Sequence, residues 1–200
     1  EIGQTARAFN KMATTRMRVE SALRALACTS IETGNNFFED AVRMLNDTFA
    51  SKYAFIGLLD QNTHDHIYTR TVAMHDEIAP NFDYALKHTH CENVIGEHKR
   101  LIPNNVRKLY PRDELLQEFG LESYFGAPLT FSNGKKIGLV VVAHTRALSI
   151  EPWMDLLLDV FANRISMELE RDAAEKTLRE SEAKLQAVMD NAPALISIKD

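Results

Sequence analysis

The first 28 residues carry apolar side chains on a seven-residue step. Ile2, Phe9, Arg16 and Leu23 share one track, and Thr5, Met12, Val19 and Leu26 share the interleaved one. This is an a/d seam, broken at Thr5 and Arg16, and it predicts a helix. Two readings stand: a seam closed by a partner helix, or an amphipathic helix lying on its own domain. A second helix is predicted over 35–50, where Phe38, Ala41, Val42, Leu45 and Phe49 form one stripe. The apolar run 53–59 predicts a strand, Asp60-Gln61-Asn62 a turn, and the β-branched stretch 67–74 its hairpin partner.

The stretch 75–100 has no period and reads as a long connection, of the kind that is more often functional than short ones are. A brief strand at Leu101-Ile102 runs into Pro103-Asn104-Asn105. A short helix follows over 111–119, with Pro111 in its first turn and Gly120 as its stop. The clearest hairpin joins 123–131 to 136–144 through Asn133-Gly134, and the apolar run 137–142 marks a central strand. Ser149 is placed to cap a long helix, with Glu151 and Pro152 in its first turn. Trp153, Leu156, Leu157, Val160 and Phe161 would cover the sheet. From Met167 the seven-residue step returns at Ala174, Ser181 and Val188, with Leu178 and Leu185 between them and Glu, Arg and Lys on the other faces. After the turn signal Asn191-Ala192-Pro193, residues 195–198 read as the opening of a strand that belongs to a further unit. The order is helix, α+β core, helix.

Composition narrows the class without naming it. An apolar fraction of 45% and a charged fraction of 26% fit a globular protein. A net charge of −5 argues against a nucleic-acid partner. Cys28 and Cys91 lie far apart, which fits a reducing cytoplasm. No segment approaches the roughly 18 apolar residues of a membrane span, and no apolar leader opens the chain.

Three segments carry a resemblance. "GLESYFGAPLTFSNGKKIGLVVVAH" looks like the Gly-x-x-Ser-x-x-Gly-x-Pro-Leu hairpin of GAF domains. "KHTHCENVIGE" is similar to that family's segment before its third strand, with His90 where proline is common, and "LIPNNVRKLYP" resembles the strand and loop that follow. The resemblance runs from about Asn35 to Arg171 and sets a domain at 31–171. It implies an α+β fold: an antiparallel sheet flanked by helices, with long terminal signalling helices. "EIGQTARAFNKM" resembles the end of a HAMP linker, assigned to 1–30. "LRESEAKLQAVMDNAPALISIKD" resembles a signalling helix, 172–190, entering a PAS domain whose start is 191–200.

This order resembles bacterial sensor histidine kinases, with diguanylate cyclases as the alternative output. It implies a segment on the cytoplasmic side of an inner-membrane protein. The segment itself is expected not to insert in the membrane and, with no kinase, cyclase or other catalytic motif, not to be an enzyme. A homodimer is expected through Ile2, Phe9, Leu23 and Leu26 at one end and Leu178, Leu185 and Val188 at the other. The cofactor is left unknown.

Family ligands sit between the sheet and the variable loops, which places Tyr84, Cys91, Asn104, Tyr110 and Tyr124 as candidate ligand-binding residues for a small molecule. The opposing reading is that these residues fill a closed core. His88, His90, Cys91 and His98 are chemically suited to a transition metal, but H-x-H-C is not a structural zinc spacing and no fourth ligand stands out. Bilin attachment in the cyanobacterial members uses a cysteine followed by histidine, whereas Glu92 follows Cys91 here. The cysteines are too far apart for the related methionine sulfoxide reductases. Asp113, Glu114 and Glu118 read as solvated helix residues, and His144 as a satisfied histidine at a strand end.

Overall fold

A computed structural model describes residues 12–17, 19–21, 23–24, 35–75, 77–96 and 98–191. Ile2, Phe9, Leu26 and Cys28, and the strand expected at 195–198, lie outside the described residues. Residues 12–17, 19–21 and 23–24 are helical. The elements that follow are α1 (Asn35–Phe49), β1 (Tyr53–Leu59), β2 (His66–Met74), β3 (Glu77–Ala79), β4 (Asp83–Ala85), α2 (His90–Gly96), β5 (Arg100–Ile102), α3 (Val106–Leu109), α4 (Glu114–Glu118), β6 (Ser123–Thr130), β7 (Lys136–His144) and α5 (Pro152–Asn191).

The strands form one antiparallel sheet in the order β3-β2-β1-β7-β6-β5, and β4 also pairs with β2. β7 is central because both its faces are apolar. Ile137, Val140 and Val142 pack to one side, and Leu139, Val141 and Ala143 to the other. On the first side lie α1 and the first half of α5. Phe37, Phe38, Leu45 and Phe49 of α1 meet Leu157, Leu158, Phe161 and Ile165 of α5 over Phe125 and Leu129. On the second side lie the short helices α2, α3 and α4 with their loops, over Ile67, Tyr124 and Leu139.

Local irregularities in the sheet have physical reasons. Thr71 faces Ile56 and Thr69 faces Gly57, which leaves Arg70 as the extra residue of a bulge in β2. The guanidinium of Arg70 lies 5.0 Å from the centroid of the Phe38 ring and 3.8 Å from the carboxylate of Asp172, so it bridges α1 and α5. Gly138 on β7 lies so close to β1 that a Cβ there would stand 2.0 Å from the carbonyl oxygen of Gly57. Pro128 sits on the stretch of β6 that β5 does not reach, where its missing N–H leaves no ladder bond unmade.

Several sequence expectations move. The stretch read as an aperiodic loop, 75–100, contains β3, β4 and α2. Pro111 does not open α4; its N-cap is Asp113, with extended backbone and a side chain that accepts from the Leu116 N–H. Asp113 is therefore buried rather than solvated. α5 starts at Pro152, later than Ser149 implied, and Leu156 points to solvent while Met154, Leu157 and Leu158 pack inward. Among the described residues no helix is long and apolar enough to cross a membrane.

Candidate functional site

The apolar positions of α2 place its polar residues inward. Val94 and Ile95 face the sheet, so His90 and Cys91, three to four positions earlier, share that buried face. Cys91 has no exposed surface, and His90 is 5% exposed. Tyr84 of β4 and Tyr124 of β6 approach from the sheet. The Tyr84 hydroxyl donates to Cys91 Sγ at 3.2 Å, and the Tyr124 hydroxyl lies 3.7 Å from the same sulfur. His90 Nε2 is 3.3 Å from it on a third side.

Asp113 completes the arrangement. Its Oδ2 accepts from His90 Nδ1 at 2.5 Å and from the His90 backbone N–H at 3.1 Å, and its Oδ1 accepts from the Leu116 N–H at 3.3 Å. One carboxylate thus caps α4 and fixes the imidazole that begins α2. The His90 ring also stands edge-on to Tyr124 at 3.9 Å between centroids. Gly126 makes room for this packing, because a Cβ there would fall 2.1 Å from the Tyr124 hydroxyl.

The electrostatics follow from burial against pairing. Burial opposes a charge on His90, but Cys91 beside it and the bond to Asp113 outweigh that and raise its pKa to about 9. Burial likewise opposes the Asp113 charge, yet the His90 ring, then the backbone N–H groups of His90 and Leu116, hold the carboxyl below its ordinary value. Burial, reinforced by Cys91, pushes both Tyr84 and Tyr124 well up, so both keep their protons and remain donors.

Above this cluster the face is nearly closed. A cavity of about 30 Å³ lies between the sheet and α4, walled by Tyr84, His90 and Tyr124 at the cluster end. At the other end Phe82 fills the gap between Phe55 and Phe119, with centroids 5.9 and 6.4 Å away. That volume holds about two waters, well below the several hundred Å³ of ordinary small-molecule sites.

Of the residues singled out from sequence, Tyr84, Cys91 and Tyr124 come together here. Tyr110 lies one layer out. Its hydroxyl accepts from Asn93 Nδ2 at 2.9 Å, and its ring is 6.1 Å from that of His90. Asn104 is exposed on its loop, as are His88 and His98, and among the described residues no group of three or more His, Cys, Asp or Glu is set to hold a metal. His144 ends β7 buried against Arg146, whose backbone N–H is 3.2 Å from its Nδ1. Sequence reasoning grouped His90 with Cys91 only as metal-suited residues and read Asp113 as a solvated acid, whereas it is buried against His90. The Asp113 signal was present, since an Asp just before a short helical run is a favoured N-cap.

A single antiparallel sheet, with long helices on one face and a cap of short helices over a buried polar cluster on the other, defines a small α+β module. The chain belongs to the GAF domain family, whose model matches residues 34–169. Solved structures agree on the fold. The GAF domain of an Acinetobacter phosphoenolpyruvate-protein phosphotransferase is 15% identical, with 80% of this chain and 97% of that one covered and a TM-score of 0.63. The A. aeolicus nlh2 GAF domain, in an inactive state, is 10% identical, with 79% and 99% covered and a TM-score of 0.61. The chromophore-binding domain of a Stigmatella aurantiaca bacteriophytochrome is 13% identical, with 78% of this chain and 60% of that one covered and a TM-score of 0.61. No curated protein sequence matches the chain.

Proposed function

We propose that this chain is the signal-transmitting GAF segment of a bacterial two-component sensor, relaying a stimulus through its terminal helices as a parallel homodimer. GAF domains are signalling and ligand-binding modules, and the particular role rests on one observation. α5 runs on past the core, and Leu178, Leu185 and Val188 along it are exposed with nothing packed on them in the single chain. Their spacing is that of a coiled-coil seam. Leu23 is also partly exposed. With Ile2, Phe9 and Leu26 it would form the seam at the other end. A stimulus would shift the rotation or register of the paired helices, a packing with discrete alternatives rather than a soft continuum.

The resemblance of 1–30 to a HAMP linker and of 191–200 to a PAS opening supports a sensor histidine kinase as the parent. The segment would then lie on the cytoplasmic side of the inner membrane and leave the chemistry to other domains. A diguanylate cyclase output is the alternative. The small cavity beside Tyr84, His90 and Tyr124 weighs towards transmission and away from a resident ligand of metabolite size.

The test is sedimentation equilibrium of the wild type and of the double variant Leu178→Glu, Leu185→Glu. Moving four leucines per dimer from a buried seam to charge weakens association by on the order of a hundredfold or more. The expected result is a wild-type dimer and a monomeric variant. A variant as dimeric as the wild type removes the C-terminal seam.

A further inference from the structure

We propose that His144 is a proton-operated latch on the connection between β7 and α5: the neutral imidazole holds Arg146, and the protonated ring lets it go. The His144 side chain is buried at the end of β7. Its Nδ1 accepts from the Arg146 backbone N–H at 3.2 Å, and its Nε2 lies 3.1 Å from Arg146 Nε. The Thr145 hydroxyl is 3.5 Å from Nδ1. A neutral imidazole has one lone pair to offer these donors, and an imidazolium has none. Protonation therefore sets donor against donor. The connection is also tied by the Ser123 hydroxyl, which donates to the Arg146 carbonyl at 2.9 Å, and by the Leu148 N–H, which donates to the Pro103 carbonyl at 2.9 Å. Losing the Arg146 N–H bond loosens the segment just ahead of α5, whose first turn rests through Trp153 on Phe49 at 5.8 Å between ring centroids.

The surroundings oppose the proton. Lys52, just before β1, donates its N–H to the Ala143 carbonyl at 3.2 Å, and His75, just after β2, donates its own to the Lys52 carbonyl at 2.9 Å. Basic residues thus stand side by side at the ends of β2, β1 and β7. On the other flank, β6 puts the uncharged Ser123 opposite His144. The neighbouring Glu122 carboxylate is taken up by the Asn105 N–H at 2.8 Å and by Arg107 at 3.4 Å. At the start of α5, the Glu151 carboxylate accepts from the Trp153 indole at 2.9 Å. Burial, then Arg146, Lys52 and His75, hold the His144 pKa below 6.5. An opened or unfolded chain, with an ordinary histidine, takes the proton first. The latch is fully favoured above about pH 6.5 and loses ground as the pH falls below it, by at most about tenfold per pH unit. The stimulus that fits is acidification. Its passage into α5 rests on the transmission role proposed above; the latch does not.

The experiment is residue-resolved amide hydrogen exchange by NMR on the full chain at pH 7 and pH 5, each rate referred to that of the unfolded chain at the same pH. The Arg146 amide should lose roughly tenfold in protection between the two. His144→Asn keeps an acceptor near the place of Nδ1 and takes no proton in this range. Its Arg146 protection should change less than about threefold, whereas His75→Gln should keep the wild-type loss. Wild-type protection that stays level from pH 7 to pH 5 overturns the proposal, whether or not a variant folds. So does a folded His144→Asn that loses as much as the wild type, or a loss that vanishes in His75→Gln. Trp153, the only tryptophan of the chain, reports separately on the start of α5. Emission that stays fixed while Arg146 opens would leave the latch standing and count only against the relay.

Discussion

Asp113 does the work of two residues. Its Oδ1 satisfies an otherwise orphaned N–H at the start of α4, and its Oδ2 holds both the ring and the backbone of His90. Hydrogen bonds to a charged group contribute about 1.5–3 kcal/mol, and Asp113→Asn keeps the shape while removing the charge. The variant should therefore unfold in urea with a stability lower by about 2 kcal/mol at pH 7. The pH dependence has a definite sign. The folded carboxyl is held below its unfolded value near 3.8, so its contribution is present above that value and is lost as pH falls through the folded one. His90, with a pKa of about 9, is protonated in both states over that acid range and adds no slope. The gap between wild type and variant should shrink as the pH drops from 5 towards 3, and a gap that stays constant would show that the charge is not what Asp113 contributes. Only the capping half of this role was legible in the chain, from an Asp just before a short helical run. Asp113 stands next to Glu114 and reads as one more solvated acid, and its partner lies 23 residues away in a stretch without period.

At the scale of elements, the long and regular pieces were legible and the short ones were not. The β6–β7 hairpin follows from Asn-Gly and the apolar run 137–142, and α1 from its five-residue stripe. β3 and β4 are three residues each, too short for any period to register, and they become strands only because β2 offers its edge and end to them. The same logic explains Leu156: a helix face is set by which turn first touches the sheet, and α5 starts at Pro152, three residues later than its presumed cap. Strand spacing itself gives a sharp test. β1 and β7 approach so closely at Gly138 that a methyl group would meet the main chain of Gly57 and the Cα of Leu58 at 3.0 Å, and neither can rotate away. Gly138→Ala should destabilise the domain by roughly 2–4 kcal/mol in urea or guanidinium titration, at the upper end of overpacking because backbone is what must move. A loss under 1 kcal/mol would mean that the two central strands separate more easily than their shared core implies.

The whole molecule divides α5 by what each half touches. Through Leu169 it buries apolar side chains against the sheet, and the Glu170 carboxylate accepts from the hydroxyl of Ser132 at 2.6 Å and from its N–H at 3.1 Å, tying the β6–β7 turn to the helix. From Lys176 to Asp190 every residue is exposed. Residues 172–191 extend about 30 Å at the usual helical rise and add nothing to the core beyond ion pairs at their root, such as Arg171 with Glu175. Exposed ion pairs of this kind are worth at most about 1 kcal/mol. A chain ended at Arg171 should therefore melt within a few degrees of the full chain at low concentration. The two should part as concentration rises. Pairing of the projecting helices binds only folded protein, so the full chain should gain thermal stability with concentration while the shortened one does not. Calorimetry or dye-monitored melting over a hundredfold range of concentration would read this directly. Parallel curves for the two chains would assign the projecting half no role in self-association, whereas a shortened chain that melts far lower would make it part of the domain's own fold.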